Sequence, residues 1–172
     1  MAVLELYALP QIRKEYQNKK IVFCSGVFDL THAGHVLFFE DCKKIGDILI
    51  VGIGRDKIIK KDKGKNRPIL NEHIRLKMVD SLKAVDYTLF FQDLSLLNKK
   101  PYNTNTLAFL ESLFDRLKPN VYAVNEDASN NNYRKELCIK KGIEFCVLNR
   151  NCLKEYDKIS TSKIIDKIKD LK

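Results

Sequence analysis

Two histidines stand three residues apart in the stretch Gly26-Val27-Phe28-Asp29-Leu30-Thr31-His32-Ala33-Gly34-His35, directly after the apolar run Ile21-Val22-Phe23-Cys24. A strand that turns into a helix here puts both imidazoles on one side of the first helical turn. Free backbone N–H groups and the positive end of the helix dipole already favour an anion at that place. Gly34, between the histidines, lets a phosphate or a base approach the backbone closely. Two donors so placed can stabilise charge building on a phosphoryl group. Zinc binding and a purely structural role are the competing readings. Zinc wants a third and fourth ligand, and only His73 and scattered cysteines could join the pair. Near the other end of the chain, Ser160-Thr161-Ser162 opens another helical pattern, so hydroxyls and N–H groups again converge on an anion. Alone, that run reads as an ordinary N-cap.

The elements that must position these groups follow from hydrophobic patterning. Residues 3–17 read as an amphipathic helix interrupted near Pro10, a lead-in occupying 1–20, and 21–172 read as one domain. Buried strands are expected over 21–24, 47–53, 85–91, 121–124 and 143–148. Helices are expected over 35–45 (stopped by Gly46), 72–83, 106–117, 132–141 (stopped by Gly142) and 160–171. Residues 55–67 read as a polar, basic connection closed by Pro68, and 93–105 as an Asn- and Lys-rich loop. Strands alternating with helices predict an α/β fold: a single Rossmann-like, doubly wound parallel sheet of about five strands with helices on both faces. Ligands in such sheets bind at the carboxyl ends of the strands, near the topological switch point. The chemistry is therefore expected just after Cys24, Ile53, Val124 and Leu148. Gly52-Ile53-Gly54 lacks the third glycine of a dinucleotide fingerprint.

Composition bounds the function. The chain has 172 residues, 45% hydrophobic and 31% charged, enough for one ordinary domain. Its 31 Lys and Arg exceed 22 Asp and Glu, a net charge of +9 that asks for an anionic partner. Residues 55–77 carry nine basic groups against three acids, two-thirds of that excess. No aromatic residue interleaves with the lysines, which disfavours single-strand nucleic acid, and the stretch is too polar to lie on a membrane. No apolar run approaches the roughly 18 residues of a membrane helix, and residues 1–10 make a poor signal peptide. Five cysteines without a C-x-x-C fit reduced thiols and a cytoplasmic protein, with neither a disulfide framework nor a metal site.

The His32-Ala33-Gly34-His35 stretch resembles the H-x-G-H signature of the small nucleotidyltransferases, a cytidylyltransferase-like family. Ser160-Thr161-Ser162 stands where that family has its second signature. Arg55-Asp56, Lys60, Lys61, Lys63-Gly64, Arg67-Pro68 and Arg75 look like its middle block. The resemblance implies transfer of a nucleoside monophosphate from ATP or CTP to a small phosphorylated sugar or polyol, with release of pyrophosphate. The Lys63-Gly64 and Arg67-Pro68 block looks most like heptose-1-phosphate adenylyltransferases. Glycerol-3-phosphate cytidylyltransferase and FAD synthetase are alternatives within the family, and a non-catalytic nucleotide- or nucleic-acid-binding module is the alternative outside it. The implied catalytic set is His32, His35, Lys61, Lys63 and Arg75, with Arg75 clamping a phosphate. Gly26, Val27, Phe28, Gly34, Asn125, Asp127, Ser160, Thr161 and Ser162 would bind the nucleotide. Asp29, Arg55 and Asp56 would serve the acceptor, with Asp29 orienting the turn or the acceptor itself. Mg²⁺ would ride on the triphosphate, no metal is expected in a protein cage, and a homodimer is possible. The family's arginine before its second signature is matched here by Arg150 or by Lys154 or Lys158, undecided.

Overall fold

A computed structural model describes residues 3–91, 102–126, 128, 131–149 and 159–171, with the side chains of 102–107 outside that description. The expectations for Asp127, Arg150, Lys154 and Lys158, and for most of the 93–105 loop, fall outside the described residues. Among the described residues six strands build one sheet: β1 (Val3–Leu4), β2 (Ile21–Gly26), β3 (Ile48–Gly54), β4 (Tyr87–Phe91), β5 (Val121–Asn125) and β6 (Glu144–Leu148). Their order is β1-β4-β3-β2-β5-β6, and every pairing is parallel. The described residues also form seven α-helices: α1 (Leu9–Glu15), α2 (Ala33–Lys44), α3 (Asp56–Lys63), α4 (Glu72–Asp80), α5 (Tyr102–Leu117), α6 (Asn131–Lys141) and, after the last strand, α7 (Thr161–Lys169).

Near-continuous apolar runs are the mark of strands buried on both faces, and the core divides accordingly. Ile21, Phe23, Ile50 and Tyr122 face Leu9 and Ile12 of α1, Phe109, Leu113 and Phe114 of α5, and Cys138 of α6. Val22, Cys24, Leu49, Val51 and Ala123 face Phe38, Phe39 and Cys42 of α2 and Leu76 and Val79 of α4. Burying a side chain such as Phe23 contributes about 1.5–3 kcal/mol, so the two layers hold the central strands rigidly. The switch point lies between β2 and β5, because β3 and β5 leave β2 on opposite sides.

The structure corrects three local expectations. Residues 3–17 do not form one helix: Val3 and Leu4 pair with Thr88 and Leu89 as a sixth strand, and a 3-10 turn (Leu6–Ala8) leads into α1. Pro10 sits in the first turn of α1, where its missing N–H is no loss. The basic connection contains α3, which buries only Ile58 and Ile59; two adjacent apolar residues give too little periodicity to announce a helix. Ile45, not Gly46, caps α2. Gly46 is needed for close approach, since a Cβ there would lie 2.4 Å from Val22 Cγ2 and 2.8 Å from the Lys20 carbonyl oxygen.

Candidate active site

β2 delivers the chain to a tight turn. Phe28 (φ 50°) and Leu30 (φ 46°) both adopt the left-handed conformation that side chains rarely take. The Phe28 ring folds back over Gly26, where an added Cβ would come within 2.8 Å of it. The turn ends at His32, the extended N-cap of α2, whose carbonyl accepts the N–H groups of His35 (2.9 Å) and Val36 (3.3 Å). The His32 and His35 rings stack, with centroids 3.8 Å apart and planes 22° from parallel. Phe28 meets His35 edge-on at 5.4 Å and packs on Phe39 at 4.8 Å. The imidazoles are thus presented together at the helix terminus, as their spacing predicts.

The start of α7 converges on the same place. The Thr161 hydroxyl donates to the Asp29 carbonyl oxygen at 2.8 Å. A Cβ on Gly34 would lie 3.5 Å from the Ile159 carbonyl oxygen and 3.1 Å from the His32 ring, so this residue has to be small for the two helix starts to meet. Ser160 caps α7 by accepting the Lys163 N–H at 3.3 Å. The hydroxyls therefore differ in what they can offer an anion. Thr161 has committed its one O–H proton and brings its backbone amide, whereas Ser160 only accepts and keeps a proton to donate.

Asp29 is 1% exposed and serves as a hub. Its carboxylate accepts the N–H groups of Ile69 (2.8 Å) and Leu70 (3.0 Å) and pairs with Arg67 Nε at 3.3 Å. The carboxylate thereby ties the turn after β2 to the 67–70 segment. Arg75 departs from expectation. It is wholly buried and donates to the carbonyl oxygens of Leu70 (2.9 Å), Val27 (2.5 Å) and Gly54 (2.6 Å) and to Asp56 Oδ1 (2.6 Å). A guanidinium so committed is a brace between β2, β3 and α4, with no fork left for a substrate phosphate. Asp56 is its partner. Arg55 packs 3.9 Å over the Phe90 ring and pairs with Glu72 at 2.7 Å, away from the cleft.

The cleft above the switch point encloses about 640 Å³. Of the residues expected there, Gly26, Val27, Phe28, Asp29, His32, His35, Lys63, Asn125, Ser160, Thr161 and Ser162 line it. Lys61, Arg55, Asp56 and Arg75 do not, and Gly34 lies behind the His32 ring. Lys57, Lys60 and Lys61 stand exposed on α3 outside the cleft, and of the nine basic groups of residues 55–77 only Lys63 and Arg67 line it. Ser25, Asp62, Arg67 and Arg134 line it without having been assigned a role from sequence. Arg134, in α6, donates to the Tyr122 hydroxyl at 2.8 Å, and Ser25 Oγ lies 3.3 Å from that same hydroxyl. No local motif flags this arginine; only the pairing of β2 with β5 brings it in.

Among the described residues the buried thiols are poorly suited to nucleophilic chemistry. Burial first, and then contact with Cys42, push the Cys24 thiol well above its ordinary range, and burial pushes Cys138 up to about 12. The described residues hold no group of three or more His, Cys, Asp or Glu able to bind a metal. None of their helices is long and apolar enough to cross a membrane.

Paired helix starts at a switch-point cleft, one carrying stacked imidazoles, define a nucleotidyltransferase-type α/β domain. The chain belongs to the cytidylyltransferase-like family, whose model matches residues 23–167. Among curated proteins, the bifunctional protein HldE of Helicobacter pylori (strain P12) is 34% identical over 166 residues, covering 96% of this chain and 31% of the relative. The HldE of Campylobacter jejuni subsp. jejuni serotype O:2 is 34% identical over 156 residues, 90% of this chain and 29% of the relative. The chain thus spans about three tenths of the length of these relatives. Two solved structures share the fold. The lipopolysaccharide core biosynthesis protein from Thermoplasma volcanium GSS1 gives a TM-score of 0.58 at 24% identity, covering 81% of this chain and 99% of that one. Pantoate-beta-alanine ligase from Francisella tularensis gives 0.66 at 17% identity, covering 99% and 78%.

Proposed function

We propose that this domain transfers the adenylyl group of ATP to the phosphate of a sugar 1-phosphate, a heptose 1-phosphate by resemblance, and releases pyrophosphate. The observation that carries the reading is the meeting of the α2 and α7 N-termini at the Thr161–Asp29 bond, with the His32–His35 pair between them and the cleft. An oxygen of the acceptor phosphate attacks the α-phosphorus, and the bond from that phosphorus to the α–β bridging oxygen breaks. Such a transfer needs positioning and charge neutralisation more than covalent help. The amides of the two helix starts, with the Ser160 and Ser162 hydroxyls, hold the β- and γ-phosphates. His32 and His35 donate to the charge that grows at the α-phosphoryl group and its leaving oxygen. Lys63 closes over the anions from the cleft rim. Asn125 and its neighbours on the β5 side receive the base. Mg²⁺ would come with the triphosphate rather than sit in a protein cage, and would supply charge neutralisation there. That suits a cleft whose Asp29 carboxylate is already engaged by two amides and Arg67.

A cytoplasmic site of action and a homodimer belong to the same proposal; the free, buried Cys24, Cys42 and Cys138 suit a reducing compartment. The test is incubation with ATP or CTP, Mg²⁺ and a panel containing heptose 1-phosphate, glycerol 3-phosphate and riboflavin 5′-phosphate, with pyrophosphate as the readout. Release with ATP and the sugar 1-phosphate is expected. Silence with every pair refutes the enzyme reading, and release with CTP and glycerol 3-phosphate alone replaces it with cytidylyl transfer.

A further inference from the structure

We propose that Arg67, positioned by Asp29, receives the acceptor's phosphate through a bidentate contact; the proposal rests on the nucleotidyl-transfer reading and names the residue that selects its second substrate. The other two arginines of the block are already engaged, Arg75 in four hydrogen bonds and Arg55 with Glu72 and the Phe90 ring. Arg67 lines the cleft with its side chain 19% exposed. It meets Asp29 through Nε at 3.3 Å, and among the described residues no hydrogen bond engages its two Nη groups. Those groups form the edge that matches two oxygens of a phosphate.

The placement suits the second substrate and not the first. Asp29 holds the 67–70 segment through two backbone amides, and its carbonyl oxygen holds Thr161. Arg67 is therefore fixed relative to the α7 start that takes the pyrophosphate portion. It lies with Lys63 on the β3 side, whereas Asn125, Ala128 and Arg134 line the β5 side. A nucleotide running from the helix starts toward β5 leaves the Arg67 side for the attacking phosphate. Asp62 also lines this arm, so two acids and two bases balance there before ligand binds. Recognition then depends on directed hydrogen bonds more than on bulk charge, and lysine should not replace arginine.

The test compares wild type with Arg67→Lys and Arg67→Gln. Loss of a charge-assisted bidentate contact should raise the acceptor KM roughly 10- to 100-fold in Arg67→Gln and about 10-fold in Arg67→Lys. The ATP KM and the affinity for α,β-methylene-ATP should stay within about twofold of wild type. Inorganic phosphate should compete with the acceptor in wild type and weaken as an inhibitor in both variants. An unchanged acceptor KM in a folded Arg67→Lys overturns the proposal, as does an equal rise in the ATP and acceptor KM values. Should Arg67→Gln fail to fold, Arg67→Lys decides, because it keeps the charge beside Asp29. Should wild type turn over no acceptor, the functional reading fails by itself. Calorimetry of inorganic phosphate binding to the α,β-methylene-ATP complex then decides the Arg67 question: equal affinity in wild type and Arg67→Lys overturns it, and loss in the variant upholds it.

Discussion

Replacing Arg75 by methionine should unfold this protein at much milder conditions while leaving its chemistry intact wherever it remains folded. The substitution keeps most of the side-chain volume and removes every N–H. Three carbonyl oxygens (Val27, Gly54 and Leu70) and the Asp56 carboxylate then lose their donor. Each buried acceptor left unsatisfied costs about 1–3 kcal/mol, and removing one partner of a buried ion pair typically costs about 3–5 kcal/mol. The contributions overlap, and the Asp56 side chain is 21% exposed and so partly reached by water. The net loss should be about 3–5 kcal/mol, a large part of the roughly 5–15 kcal/mol that holds a domain folded. At this chain length that corresponds to a drop in Tm of roughly 6–20 °C. Urea titration followed by circular dichroism measures the loss, and initial-rate kinetics below the new transition measure the activity. A variant as stable as wild type but unable to use its substrates would refute the brace and restore Arg75 as a phosphate clamp.

The remaining expectations concern the histidines, a surface pair and a glycine. His35→Ala should lower kcat about 10²- to 10³-fold, as loss of one transition-state donor does, and a rate within about threefold of wild type would remove His35 from the chemistry. Glu72 is held below its ordinary value of 4.5: burial opposes ionisation, but the Asp56 amide and the Arg55 guanidinium outweigh it. Its contribution is therefore present at neutral pH and is lost as pH falls from 4.5 through the lower folded value. Glu72→Gln should be less stable than wild type at pH 7 and converge with it in acid; a gap that widens in acid would contradict this. Gly46→Ala, forced against Val22 and the Lys20 carbonyl, should lose about 1–3 kcal/mol in urea titration without changing either KM.

The order of elements and the two helix starts that meet at the cleft were legible along the chain, because both are local properties. Strand burial appears in unbroken apolar runs such as 48–53, and a helix start needs only its cap and free amides. Hence the His32–His35 pair, Gly34 and Ser160 were found where the structure has them. What the chain could not reveal is which charged groups reach the cleft. Arg55, Lys61, Lys63, Arg67 and Arg75 look alike within one basic block, yet Arg75 is wholly buried while Lys63 and Arg67 line the site. Val3–Leu4 is too short to show a period, and only a vacant place beside β4 makes it a strand. Arg134 enters because β5 lies beside β2, a pairing between residues about 100 positions apart. Composition and local pattern therefore determined the fold class and which residues stand at the helix termini. The destination of each long cationic side chain was decided by tertiary packing, because a guanidinium goes where buried carbonyls and carboxylates need its donors, and those acceptors meet only once the sheet has formed.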